Sequence, residues 1–220
     1  MNVDNILKFL KALARNNNRE WFDKHKDNYL QLKGEFEVFV GDVLTDMTAF
    51  DPSLAGLDPK RLTYRIYRDV RFSKDKTPYK TNVSAAISAG GKTMGTPGYY
   101  FQLEPGGKSF VAAGLYMPQA ETLSKIRQEI DYNGDRLQKI LKEPKFRKLY
   151  AGFWTGDALK SVPKGYAKEH PQIELLRLKS FLVEHAFSDE ETNSKTFRKK
   201  LVDSMRIAQP LIEFLKEGLD

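Results

Sequence analysis

The chain has no cysteine, and its three histidines, His25, His170 and His185, are scattered over 220 residues. Without thiols there are no disulfides, no thiolate metal sites and no cysteine nucleophile. The isolated histidines lack metal-ligand spacing, so no metal is expected. Long apolar runs are missing too. The longest, 110–117, has eight residues including a glycine, far short of the roughly 20 that span a bilayer, so no membrane partner is expected. The stretch MNVDNILKFLKALARN breaks up its apolar positions with acids and lysines. It reads as an amphipathic helix rather than the unbroken core of a signal peptide, so a cytoplasmic location is expected. No linker, repeat or low-complexity tract divides the sequence, and a single domain over 1–220 is the expectation. G-x-G-x-x-G, H-E-x-x-H and G-x-S-x-G are all absent, and no cofactor is implied.

What is present is ample core material, 40% hydrophobic and 12% aromatic. Ile6, Leu7, Leu10 and Leu13 recur at helical spacing, and Asn16, Asn17 and Asn18 then interrupt them. Asn17 and Glu20 have the spacing of a capping box opening a second helix through Trp21, Phe22, Tyr29, Phe36, Val40 and Met47. That helical start covers 4–50. Across 61–117 the period becomes strand-like, with candidate strands at 62–69, 82–88, 99–104 and 109–117 joined by Gly- and Pro-rich turns. Short turns make such neighbours antiparallel. Region 119–171 reads as a helix through Ile126 and Ile130, a break at Asn133-Gly134, a helix through Leu137, and an aromatic-rich ordered loop from Glu143. A last strand at 178–187 and a helix bent near Pro210 occupy 177–218. The expected fold is α+β, an antiparallel sheet of four to five strands flanked by amphipathic helices.

Charge is concentrated in one place. The net charge is +7, yet 60–80 alone holds eight cations against two acids. Such focusing steers anions toward a surface. If 62–69 is a strand, Arg65, Tyr67, Asp69 and Arg71 share one face, and Ile66, Arg68, Val70 and Phe72 the other. Guanidinium forks suit phosphate or carboxylate, and lysines of the following loop supply mobile charges over such a ligand. The site expected on this reading uses Arg65, Arg68, Arg71, Lys74, Lys76 and Lys80, with Tyr67 or Tyr79 stacking on the bound group. The alternative is that the arginines pair with Asp69, Asp75 and other acids while the aromatics are core.

The residues Asn18-Arg19-Glu20-Trp21-Phe22 with His25, Lys26 and Tyr29, the segment from Arg65 to Lys80, and the strand pair around Gly98-Tyr99-Tyr100 and Gly114 resemble an uncharacterised family, chiefly bacterial with fungal relatives, labelled domain of unknown function 2461. The likeness covers essentially the whole length. It implies no particular activity, but it associates Arg19, Trp21, His25 and Tyr29 with the basic segment. Arg19 thereby joins the ligand-binding candidates. His25 is either a proton carrier beside an anion site or a histidine packed at a helix edge. Asp69, held ionised by its arginines, is the best carboxylate for acid-base work and otherwise a salt-bridge partner.

The string from Ala86 to Thr93 ends like a phosphate-binding loop, yet lacks the first glycine and the following helix, so a hairpin turn is expected. Neither the reaction, if there is one, nor the oligomeric state is written in the sequence. The first functional expectation is a phosphorylated or otherwise anionic small molecule as ligand. The alternatives are a nucleic-acid-binding module and an interaction domain whose basic face meets an acidic protein.

Overall fold

The computed structural model describes residues 2–92 and 95–219 and has the expected α+β character. Helix α1 (Val3–Arg15) buries Ile6, Leu10 and Leu13. The next helix starts one residue later than expected, because Asn18 rather than Asn17 caps it, accepting from the Trp21 N–H at 2.9 Å. It is also short: α2 (Arg19–Lys24) stops at His25, whose φ of −112° and ψ of 12° leave the helical region, and α3 (Lys26–Thr48) resumes beyond it. A 3₁₀ turn (Pro52–Leu54) and a single turn of helix, α4 (Pro59–Leu62), then lead to the sheet.

The sheet holds β1 (Val83–Ile87), β2 (Gly98–Leu103), β3 (Ser109–Leu115) and β4 (Phe181–Phe187) in that spatial order, each pair antiparallel. Between β3 and β4 run α5 (Ala120–Lys142), α6 (Pro144–Leu149) and α7 (Ile173–Leu176), of which α6 falls inside the stretch read as loop and α7 just beyond it. Helix α5 is two helical segments joined at the expected break, a kink at Asn133, whose φ of −119° leaves the helical region. Gly134 beside it is needed there, since a Cβ would stand 2.5 Å from the Gln172 side chain. After β4, α8 (Asp189–Asn193) opens on a capping box of Ser188 and Glu191, and α9 (Phe197–Glu217) runs through Pro210.

Alternation along the strands sorts the sheet into two faces. One carries Ala85, Ile87, Phe101, Val111, Ala113 and Val183, all buried. It packs on α3 and α9, with Phe36 and Phe39 against Phe101 and Phe39 stacked on Phe197. The other face carries Ala86, Tyr100, Phe110, Ala112 and Glu184, which line an open trough.

The expected strand at 62–69 does not form. Asp58 accepts from the Lys60 N–H at 3.0 Å and Pro59 supplies the fixed φ of a first helical position. Those two residues start a helical turn that carries the chain to Leu62. Only Thr63, bridged to Ala85, and Tyr64, whose N–H donates to Ser84 O at 2.9 Å, then touch the sheet, along the outer edge of β1. The β1–β2 connection contains the string ending in Thr93; Thr93 and Met94 lie outside the described residues. Among the described residues, no helix is long and apolar enough to cross a membrane.

Candidate functional site

Beyond Tyr64 the basic segment folds back on itself as a two-stranded hairpin. Arg68 N–H donates to Pro78 O at 2.9 Å, Lys80 N–H to Ile66 O at 2.8 Å, and Tyr67 bridges Tyr79. Its foot is anchored on α2: Tyr79 stacks on Phe22 with centroids 4.0 Å apart, and Tyr67 meets the same ring edge-on. Asn17, free of the capping role, pairs with the Tyr79 backbone. It donates to the carbonyl at 2.9 Å and accepts from the N–H at 3.1 Å, as a neighbouring strand would.

The charges of the hairpin are largely turned inward. Arg68 reaches across it to Asp75 at 2.5 Å, to the Thr77 carbonyl at 3.2 Å and to the Thr77 hydroxyl. Asp75 also accepts from the Thr77 N–H, and that bond, ahead of Arg68, holds its carboxyl down at about 2. Arg71 grips Asp69 through two nitrogens, at 3.0 and 2.7 Å, which lowers the Asp69 carboxyl below its ordinary range. Lys76 donates to the Val70 carbonyl at 3.0 Å. Lys74 is exposed, and Phe72 at the tip is 97% exposed.

The remaining cations gather elsewhere. Lys80 and Lys92 lie over the Tyr64 ring, 5.2 and 5.3 Å from its centroid. Lys92 also donates to Thr63 O at 2.6 Å. Burial, then the charges of Arg65 and Lys92, push the Lys80 ammonium below its ordinary pKa. Among the described residues no carboxylate lies within ion-pair distance of Arg65, Lys80 or Lys92.

Tyr64 is also the near wall of a trough of about 470 Å³ on the uncovered face of the sheet. Tyr64, Tyr100 and Phe110 form one wall, with successive centroids 6.2 and 5.6 Å apart. Tyr116 and Trp154, 6.4 Å apart, form the other. The floor is small: Ala86, Gly98, Ala112 and Gly114. Gly114 admits no side chain, with φ at 133° and a Cβ position 1.8 Å from Phe181 O. Trp154 is fixed to the β4 edge by its N–H, which donates to Leu182 O at 2.7 Å. Apolar surface left uncovered on this scale marks a binding groove more often than a bare surface.

A family model described as a conserved hypothetical protein, DUF2461, matches residues 5–214. The chain belongs to DUF2461. Comparison with curated proteins and with solved structures gave no match. The residues that carry the DUF2461 resemblance meet in space for structural reasons: Asn18 caps α2, Phe22 holds Tyr79, and Tyr29 is buried beneath the hairpin, where loss of solvent raises its hydroxyl to about 12. Gly98 and Gly114 face each other across β2 and β3 on the trough floor.

The nine ligand-binding candidates are thus not brought into one pocket. Arg68, Arg71 and Lys76 have partners within the hairpin, Lys74 is exposed, Tyr79 is core and Tyr67 is half-exposed on the hairpin flank. Arg19 is exposed at the start of α2, where its charge acts on Tyr79. Lys80 lies over Tyr64, and Arg65 acts on it through its charge. The two weak catalytic candidates occupy different places. Asp69 is clasped by Arg71 on the hairpin. His25 stacks on Trp21 at 4.0 Å, its Nδ1 is 2.7 Å from the Trp21 carbonyl, and it borders a separate cleft with Phe9 and Asn28. Among the described residues no three His, Asp or Glu side chains gather as a metal site.

Sequence reasoning missed Lys92, Tyr100, Phe110, Tyr116, Trp154 and Glu184. One signal was available. An antiparallel sheet with a solvated face should alternate apolar with polar, whereas β2 and β3 place Tyr100, Phe110 and Ala112 where polar residues belong.

Proposed function

We propose that the protein binds a small anionic molecule bearing an apolar or planar group, the group in the trough and the anion at Arg65, Lys80 and Lys92. The observation carrying this reading is the meeting of two features at Tyr64: cations that have no carboxylate within ion-pair distance among the described residues, and a cleft of ligand size lined by aromatic rings. Like charges crowd only at an energetic cost, which a bound anion relieves. Burial is the main cause of the depressed Lys80 ammonium, and the neighbouring charges of Arg65 and Lys92 add to it. Pockets that hold small ligands are mostly apolar with a few placed polar groups, and this trough has that composition. The reading covers binding and names no reaction.

The test is calorimetric titration with inorganic phosphate and pyrophosphate, in parallel with the Lys80→Ala/Lys92→Ala double variant. Saturable binding that the double variant loses supports the proposal. Absence of binding at millimolar anion and low salt, or binding indifferent to both lysines, removes it. Affinity should also fall as pH rises toward the lowered pKa of Lys80, earlier than for an ordinary lysine, since the deprotonated amine no longer attracts the anion.

A second reading, single-stranded nucleic acid, is favoured by one observation: exposed Phe72 beside the Arg71 guanidinium, 5.9 Å from its ring centroid, a pairing suited to a base and its phosphate. Against it, Asp69 and Asp75 stand on the same hairpin with exposed carboxylates. Oligonucleotide binding that collapses with salt and requires Phe72 would favour this reading. No binding at low salt would end it.

A further inference from the structure

The trough has an acidic end as well as a basic one. The strand registers align one cross-strand row on the open face: Ala86 opposite Tyr100, Tyr100 opposite Ala112, Ala112 opposite Glu184. Tyr64 with its lysines lies beyond the β1 end of this row, and Glu184 closes the β4 end. Three strand spacings separate Ala86 from Glu184, roughly 14 Å.

Two carboxylates belong to this face, and they differ. Glu104 is occupied, accepting from the Thr81 hydroxyl at 3.0 Å and from Gln102 Nε2 at 2.9 Å. Glu184 lines the trough, is exposed, and among the described residues has no cation within ion-pair distance. An ionised carboxylate only accepts hydrogen bonds. It therefore favours a ligand end rich in N–H or O–H and repels the anionic end, which fixes the direction in which a ligand lies. Tyr100 in the middle of the row already donates its hydroxyl to Gln102 Oε1 at 3.0 Å. What it offers a ligand is its ring.

We infer that the ligand is a nucleoside phosphate, with its phosphate at Arg65, Lys80 and Lys92, its base between the Tyr100 and Trp154 walls, and the amino edge of the base on Glu184. The inference rests on the proposed anion site and adds the class of molecule it takes. A planar heterocycle suits two aromatic walls over a floor of alanine and glycine, an amino edge suits a lone acceptor, and the two charged ends of the trough match the polarity of such a molecule.

The experiment is calorimetry of the full chain with pyrophosphate, ribose 5-phosphate, AMP, CMP and UMP, repeated with Glu184→Gln. At an exposed strand position this substitution preserves the fold, which circular dichroism verifies. The expected result is that AMP and CMP bind at least about tenfold more tightly than ribose 5-phosphate, with UMP weaker because its base presents a carbonyl where theirs presents an amine; a tenfold step is about 1.4 kcal/mol. Glu184→Gln, whose amide both donates and accepts, should narrow the gap between AMP and UMP and, having lost a repelling charge, should not weaken pyrophosphate binding. Equal binding of ribose 5-phosphate and the nucleotides, or an AMP to UMP ratio unmoved by Glu184→Gln, overturns this inference while the anion site stands. Failure of every anion, pyrophosphate included, overturns both.

Discussion

The basic hairpin and the mouth of the trough are neighbours in sequence and opposites in how their charges are disposed. In the hairpin, Arg68 and Arg71 each hold an aspartate and Lys76 holds a backbone carbonyl. At the mouth, Lys80 and Lys92 lie over one tyrosine ring, Arg65 adds its charge to theirs, and among the described residues none of the three has a carboxylate within ion-pair distance. The hairpin is richer in charge, yet it is the mouth that has charge left over for a ligand. A count of lysines and arginines finds a region, and the pairing of each one decides what the region can do. Exposed pairs of the hairpin type contribute little individually, but together they give a loop a fixed shape.

The sharpest way to break this contrast is to truncate two cations in each place. Loss of a charge-assisted contact costs about 1.5–3 kcal/mol, and about 1.4 kcal/mol is tenfold. Lys80→Ala/Lys92→Ala should therefore weaken pyrophosphate binding by about 100-fold, and Arg71→Ala/Lys74→Ala by no more than about twofold. Calorimetry on both variants decides it. Equal losses would mean that the anion sits across the hairpin and the contrast is void.

Next in size is Arg68→Ala. Its side chain is three-quarters buried, while Asp75 is exposed and keeps its hydrogen bonds from Thr77, so removal is expected to destabilise by about 1.5 kcal/mol. Urea denaturation should show the loss, and anion affinity should hold within about twofold. Unchanged stability with abolished binding would instead assign Arg68 to the ligand. Asn17→Ala is expected to be milder, about 1 kcal/mol, because two hydrogen bonds to the Tyr79 backbone go while Phe22 still stacks on Tyr79. Faster amide exchange at Tyr79 and Lys80 is its signature, and protected amides there would show that the stack alone holds the hairpin foot.

The fold was largely legible because periodicity is a local property. The helical spacing in α1, α3 and α9 and the Gly- and Pro-bounded strands β1 to β4 each lie within one stretch of sequence. The misread at 62–69 came from β-branched and aromatic residues outweighing the Asp58-Pro59 helix start. The break at Asn133-Gly134 was legible from the low helix propensity of the pair and is present as the kink at Asn133, whereas the close packing of Gly134 on Gln172 was not. The site was much less legible. Arg68 and Asp75 meet only once the hairpin closes, and the trough draws on Tyr64, four strands and Trp154, whose contiguity depends on register. Lys92 stood in a string read as a hairpin turn, and a turn assignment does not say which neighbour its side chain meets, so its place over Tyr64 was invisible.

The smallest expected effect distinguishes the two regions by pH. Asp75 has a folded-state carboxyl near 2 against an ordinary 3.8, so its hydrogen bonds support the hairpin fully above about pH 4 and lose that support as pH falls through 2. Lys80 has the opposite sign. Its depressed ammonium makes the folded chain bind fewer protons than the unfolded one in the alkaline window between the two pKa values, so this group favours folding more as pH rises there. A bound anion should restore the proton, and titrations with pyrophosphate in that window should show proton uptake. For Asp75, carboxyl resonances followed by nuclear magnetic resonance should give a midpoint near 2. Because the Thr77 N–H outranks Arg68 among the causes, Arg68→Ala should move that midpoint only part of the way back. A complete return to 3.8 would mean that the hairpin turn itself, and not only one side chain, depends on Arg68.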